Sequence, residues 1–149
     1  MTGVQTCALP ICRRQWHLAD DQALKYKYLL NFDREMLKLA NENAIFASAP
    51  QSIFIDEHKQ ILVYKRKNLI FIVNFNPNES FEGYFVSTGS RGSYKVMLSS
   101  DDSCFGGWDR ISKDTVYKTH TDENGNHQIQ IYIPARSAVC FKKITKSDK

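Results

Sequence analysis

Residues 61–77 constrain the fold of this chain more than any other stretch, because they hold two apolar runs that are too short for helices. The runs cover residues 61–64 and 69–73, are rich in branched and aromatic side chains, and flank a polar stretch at residues 65–68. Both faces of the second run are largely apolar, so we expect that strand to lie in the interior of a sandwich or under another layer. Pro77 cannot donate a ladder hydrogen bond and marks the strand's end. The stretch predicts a hairpin at the centre of a β domain.

Further short strands are predicted where β-branched or alternating runs are bounded by turn-forming residues. These strands lie at residues 52–55, 83–87, 94–98, 128–133 and 137–143. About seven short strands with regular turns favour an antiparallel architecture. The predicted fold class is therefore mainly β, an antiparallel β-sandwich preceded by one or two α-helices.

An amphipathic helix is predicted before the strands. Asp20 and Asp21 are candidate N-caps, and Asn31 and Asp33 predict a break into two helices, with Asp33 capping the second. The prediction is based on apolar residues that recur every four positions and form a stripe, which two leucines widen. The residues are Leu24, Tyr28, Phe32, Met36 and Ala40, with Leu29 and Leu39. Because this face is too wide for an isolated helix, it must bury against the strands or against a partner that the chain lacks.

Composition excludes several classes of protein. The chain has 149 residues, 42% hydrophobic and 24% charged, which is ordinary for one globular domain. A net charge of +4 is too small and too scattered to indicate nucleic-acid binding, and no apolar run has the roughly 20 residues that cross a bilayer. The cysteines lack metal-ligand spacing and indicate reduced thiols in a cytoplasmic protein with no metal or cofactor. They are Cys7, Cys12, Cys104 and Cys140.

One loop combines acids with aromatic residues, at residues 101–110. Retaining glycoside chemistry needs two carboxyl groups roughly 5 to 5.5 Å apart across a sugar. Asp101, Asp102 and Asp109 are the clustered acids, but sequence neighbours tend to point apart. We expect them instead to cap turns and to pair with Arg110. The histidines stand isolated, so no nucleophile–base pair is indicated.

A family resemblance covers residues 13 to about 144, which are similar to the C-terminal end of the 1,4-alpha-glucan (glycogen) branching enzymes of the alpha-amylase superfamily. Each motif is short, but their order and spacing together are specific. The motifs are RRQWHLADD (13–21), LKYKYLLNFDREM (24–36), SAPQ (48–51), NFNP (74–77), SSDDSCFGGWDR (99–110) and IYIPARSAV (131–139).

The resemblance implies that residues 13–47 are the closing loop and last helix of a catalytic (β/α)8 barrel. Residues 48–144 would be the C-terminal all-β domain, and residues 145–149 a tail. The family cleaves an α-1,4 glucan link and transfers the chain to a 6-hydroxyl. Its catalytic acids lie in barrel motifs that precede residue 13, so none is assigned here and the chain is expected to be inactive alone. Its expected partners are α-glucan, met through the parent enzyme, and the missing barrel, with neither nucleic acid nor membrane.

Trp16 and Trp108 are the candidate substrate-binding residues, because aromatic faces stack on sugar rings. The alternative for Trp16 is a plug between the last barrel helix and its neighbours. The alternative for Trp108 is packing of its loop onto the sandwich, and the family often has histidine at this position. A free-standing carbohydrate-binding sandwich and a structural domain without a ligand are the rival functions. Both would leave the apolar helix stripe unexplained.

Residues 1–12 differ in character from the remainder. They lack the basic start and apolar core of a signal peptide and show no periodicity. Residues 3–11, GVQTCALPI, resemble a translated sequencing adapter. We expect residues 1–12 to be an artefact or disordered, and to contribute nothing to the fold.

Overall fold

The computed structural model describes residues 15–145; the predictions for residues 1–12 and for most of the tail lie outside them. Within that range, two helices precede nine strands, with short 3₁₀ helices at Ile45–Ala47 and Ser103–Phe105. The helices are α1 (His17–Asp20) and α2 (Tyr26–Glu42). The strands are β1 (Gln51–Asp56), β2 (Ile61–Arg66), β3 (Leu69–Asn74), β4 (Phe81–Ser87), β5 (Ser93–Ser99), β6 (Tyr117–Lys118), β7 (His120–Thr121), β8 (His127–Ile133) and β9 (Ser137–Lys143).

The strands form two antiparallel sheets, as the sequence predicts. The larger sheet has the order β1-β2-β3-β9-β5-β6, and the smaller has the order β4-β8-β7. The last strand, β9, lies in the middle of the larger sheet, between β3 and β5. The sequence does not predict β6 and β7, because strands of two residues carry no periodicity.

The central position predicted for residues 69–73 is confirmed by burial on both faces of β3. Ile70 and Ile72 belong to the core between the sheets, together with Phe141 and Ile129. Leu69, on the opposite face, is fully buried in a second cluster. Burial of large apolar side chains on both faces makes the β2–β3 hairpin the structural centre of the domain.

The second cluster joins α2 to the larger sheet. Leu39 of α2 packs with Leu98 of β5 and Cys140 of β9. The Phe32 ring also meets Phe105 edge-to-face, with the centroids 5.3 Å apart. One face of the helix therefore packs on the chain's own β domain.

Two details predicted for the helix are wrong. α2 runs unbroken through Asn31 and Asp33, because Phe32, between them, and Leu39, further along the helix, pack it against the β domain. It begins at Tyr26 after Lys25, without a side-chain cap from Asp20 or Asp21. Asp21 Oδ1 instead accepts the Ala23 N–H at 2.9 Å and closes the turn between the helices.

The segments 74–77 and 131–139 meet at one end of the sandwich through Asn74, which is 1% exposed. Its Nδ2 donates to the carbonyls of Pro134 (3.0 Å) and Glu79 (2.9 Å), and its Oδ1 accepts the Asn76 N–H. The Asn76 carbonyl in turn accepts the Arg136 N–H at 3.1 Å. Asn74 thereby satisfies backbone groups that would otherwise be buried without partners.

We expect Asn74→Leu to lower the free energy of unfolding by about 2–3 kcal/mol, since leucine leaves the Pro134 carbonyl without this donor. Urea denaturation measures the loss. Asn78→Ala is the matched control, because Asn78 is exposed and its backbone N–H bond to Asn76 survives the change. Equal loss in both variants would show that the Asn74 amide contributes no more than an exposed one.

Candidate functional site

The loop that follows β5 is closed by a single carboxylate. Asp101, only 5% exposed, accepts Arg110 Nη2 at 2.6 Å and the Arg110 backbone N–H at 2.9 Å. Its own carbonyl accepts the Asp109 N–H at 2.8 Å. The predicted pairing of this acid with Arg110 is confirmed. Burial alone would raise the pKa of Asp101, but the hydrogen bonds and charge of Arg110 lower it below the usual value.

Gly107 lets the two arms of this loop approach. A Cβ at this position would overlap the Asp101 backbone, including its carbonyl oxygen. The Gly107 N–H also donates to the Asp102 carbonyl at 3.0 Å. Only glycine leaves enough space for this close approach of the two backbone segments. The approach sets the position of the backbone from which the adjacent Trp108 side chain projects.

The other two acids of the loop are also engaged. Asp102 is buried, and its Oδ2 lies 2.5 Å from Lys113 Nζ. Asp109, in the left-handed backbone region with φ +53°, accepts the Ser103 N–H at 2.7 Å. Hydrogen bonding from the Ser103 side chain, followed by that from its backbone N–H, lowers the pKa of Asp109. Each carboxylate thus holds a cation or a backbone N–H, which supports the turn-capping interpretation over a catalytic pair.

Trp108 projects from this closed loop with 81% of its surface exposed. The expectation that it packs the loop onto the sandwich is wrong, because the loop is held by the Asp101 and Asp102 ion pairs instead. The aromatic residue of this loop that packs against α2 is Phe105, which meets Phe32, and not Trp108. The indole is consequently available for a flat apolar ligand surface.

Trp16 lies in a different place, beside the two helices. It lines a cavity of about 580 Å³ with Leu18 of α1 and with Tyr26, Leu29 and Leu30 of α2. The ring remains largely exposed. Trp108 is not among the residues of this cavity, so the two tryptophans are not assembled into one site there.

The structure adds a groove that the sequence analysis did not single out. It lies between β1 and β4, encloses about 480 Å³, and is lined by aromatic and polar side chains. The Tyr84 hydroxyl donates to Asp56 Oδ2 at 3.3 Å, which links β4 to β1. Burial, followed by the charge of Asp56, raises the pKa of Tyr84 to about 12. No periodic signal marks this groove, because its residues come from two edge strands of different sheets.

Within residues 15–145, no helix has the length and apolar content needed to span a membrane. The described part of the chain also contains no group of three or more His, Cys, Asp or Glu side chains arranged to hold a metal ion.

Comparison with known proteins gives one family match and several relatives. The family model "Alpha amylase, C-terminal all-beta domain" matches residues 53–144. The 1,4-alpha-glucan-branching enzyme of Equus caballus is 37% identical over 136 residues, which are 89% of this chain and 19% of that protein. The Emericella nidulans enzyme of the same name is 39% identical over 133 residues, 87% of this chain and 19% of that protein.

A plant relative shows the same extent of similarity. The 1,4-alpha-glucan-branching enzyme, chloroplastic/amyloplastic, of Oryza sativa subsp. japonica is 32% identical over 144 residues, 89% of this chain and 18% of that protein. The chain spans about a fifth of the length of these relatives. Together, the match over residues 53–144 and the two-sheet antiparallel fold show that the chain belongs to the family of alpha-amylase C-terminal all-beta domains.

Proposed function

We propose that this chain is the C-terminal portion of a 1,4-alpha-glucan branching enzyme and supports that enzyme's catalytic barrel. The parent reaction would cleave an α-1,4 glucan link and transfer the released chain to a 6-hydroxyl in glycogen biosynthesis. The support comes from relatives of that name, which match 85–89% of this chain, beyond the 53–144 family match. Residues 13–47 would then be the end of the barrel, and the parent enzyme would work in the cytoplasm.

The observation that carries the proposal is the second apolar face of α2. Tyr26, Leu29 and Leu37 recur at helical spacing, and each is more than half exposed. Phe32 and Leu39 occupy the face that packs on the β domain. A surface helix of an independent domain needs one apolar stripe, so two stripes indicate a second partner. We assign that partner to the barrel of the same polypeptide.

The chemistry of the chain agrees with a supporting role. Retaining transfer requires a nucleophile and a general acid that are free to meet one sugar. Asp101, Asp102 and Asp109 are instead committed to Arg110, Lys113 and the Ser103 N–H. The parent's nucleophile and acid would come from its barrel. Trp108 would contact glucan at the rim of the assembled enzyme, and Trp16 would lie at the helix–barrel junction.

A chimaera tests this proposal. The last fifth of the horse enzyme is replaced by residues 13–149 of this chain, and the iodine spectrum of amylose is followed over time. We expect the chimaera to change the spectrum, whereas the 149-residue chain alone leaves it unchanged. Leu29→Lys with Leu37→Lys in the chimaera should reduce activity at least about tenfold, because two charges are buried against the barrel.

Asn31→Lys with Glu42→Gln is the matched control, since it adds the same net charge at exposed positions away from the Leu29 and Leu37 side of the helix. A folded chimaera without activity would contradict the assignment to a branching enzyme. Full activity of the double-leucine variant would contradict packing of the barrel on this helix face. Time-dependent activity of the chain alone would contradict the supporting role and return attention to the acids of the loop.

A further inference from the structure

We propose that the groove between β1 and β4 binds a 1,4-α-glucan chain. The ligand class rests on the proposed function, whereas the site itself follows from the shape and chemistry of the groove. It is lined by four aromatic side chains, one ammonium group and two carboxylates: Phe54, Phe81, Tyr84, Phe85, Lys59, Asp56 and Glu82.

Two exposed rings stand on the two strands of the groove. Phe54 of β1 is 49% exposed, and Phe85 of β4 is 54% exposed. Phe54 pairs in register with Val63, which is buried in the core, so it emerges from the inner face of the larger sheet. Phe85 pairs with the exposed Gln130, so it stands on the outer face of the smaller sheet and borders the groove at its rim. One exposed ring inside the groove and one at its rim offer flat apolar surface to the C–H faces of a sugar.

Each of these strands carries a bulge next to the groove. In β1 the register shifts between Ser52 and Phe54, and in β4 it shifts between Phe81 and Tyr84. Gly83, within the second bulge, has φ +65°, a conformation that few other residues adopt without strain. Bulges re-aim side chains near functional sites, and here two of them adjoin the same groove.

The polar groups suit an uncharged ligand rich in hydroxyls. The Asp56 carboxylate already holds the Tyr84 hydroxyl and the Lys59 backbone N–H, and it retains further lone pairs. Lys59 Nζ lies 5.1 Å from the Tyr84 ring centroid and 5.6 Å from that of Phe81, where its N–H groups can reach a bound molecule. Ser80 Oγ accepts the Ala135 N–H, which leaves its own hydrogen for donation. One cation and two acids give little net charge.

A peptide strand fits this groove less well than a glucan. An added strand needs a regular row of unpaired N–H and C=O groups along one edge. Both edges here are interrupted by the bulges, a feature that blocks edge-to-edge pairing. A glucan needs ring faces and scattered hydrogen-bonding groups, which the groove supplies.

Affinity electrophoresis of the full 149-residue chain in gels that contain amylose tests the inference, with dextran gels as the control polysaccharide. Maltoheptaose titration followed by NMR reports the same site in solution. We expect retardation by amylose and weak saturable binding of maltoheptaose. Phe54→Ala with Phe85→Ala should raise the dissociation constant at least about fivefold, as two stacking contacts are removed. Phe46→Ala is the matched control, an exposed ring that contacts Arg66 and does not line the groove.

Thermal unfolding checks that the variants remain folded, and Lys59→Met tests the groove without changing a ring. Retardation that survives the double-phenylalanine variant and is abolished by Trp108→Ala would overturn the groove and place binding on the loop. Equal retardation by dextran, or none by amylose, would also overturn it. An extended peptide that competes with maltoheptaose and protects β1 or β4 amides would favour strand addition instead. The chimaera's activity is read separately, so failure of the groove and failure of the proposed function are distinguishable.

Discussion

Gly107→Ala is expected to lower the free energy of unfolding by at least about 3 kcal/mol, the largest effect of alanine at any glycine in the described part of the chain. The added Cβ would overlap the Asp101 carbonyl, and backbone cannot move aside as a flexible side chain does. The loop would have to open, which breaks the Gly107 N–H bond to the Asp102 carbonyl and the Asp109 N–H bond to the Asp101 carbonyl. Urea denaturation followed by intrinsic fluorescence measures the loss.

Gly89→Ala separates steric overlap from backbone strain. Gly89 has φ +69°, but no atom lies within 4 Å of the position that an added methyl group would take, so alanine there costs only about 1–2 kcal/mol. If Gly107→Ala were no more harmful than Gly89→Ala, the two arms of the loop would not be in the close contact described. A rise in Trp108 mobility with normal stability would lead to the same conclusion.

The sandwich could be predicted because local patterns of apolar and polar residues indicate most of its strands. Residues 69–73 are apolar on both faces, and β3 does lie between two buried layers. Ile129, Ile131 and Ile133 alternate with polar residues, and all three are buried in the core. Strand order was not accessible in the same way, since the position of β9 between β3 and β5 depends on long-range pairing.

The errors arise where tertiary contacts override local preference. Asn31 and Asp33 are weak helix formers, yet Phe32 docks on Phe105 and the helix continues through them. Inward packing of Trp108 is the ordinary expectation for a large aromatic residue, but ion pairs hold its loop and leave the ring outside.

The candidate sites differ in whether they could be predicted from the sequence. The Asp101–Arg110 pair was predictable from spacing within one turn-rich loop. The β1–β4 groove was not, because Phe54 and Phe85 are 31 positions apart in sequence and border the same groove only when two sheets stack. Roles for Trp16 and Trp108 in glucan binding stay predictions.

Removing the Asp101 carboxylate is expected to have the second largest effect. Asp101→Ala should lower the free energy of unfolding by about 3 kcal/mol, since it leaves Arg110 without its partner and the Arg110 N–H without an acceptor. Asp114→Ala, at an exposed aspartate close by, should change it by less than about 0.5 kcal/mol. A double-mutant cycle with Arg110→Met should return a coupling above about 1 kcal/mol, and additive losses would mean that the two residues act independently.

The same pair predicts how stability depends on pH. The pKa of Asp101 is lowered in the folded chain, so its contribution is fully present above the unfolded value, about pH 4, and is lost as pH falls through the folded value. The wild type should therefore lose stability more steeply than Asp101→Asn below about pH 4, because the amide cannot titrate. Urea midpoints at about pH 6, 4 and 3 measure the difference between the two proteins. A constant difference across that range would show that folding leaves the pKa of Asp101 unchanged, contrary to the ion pair that closes the loop.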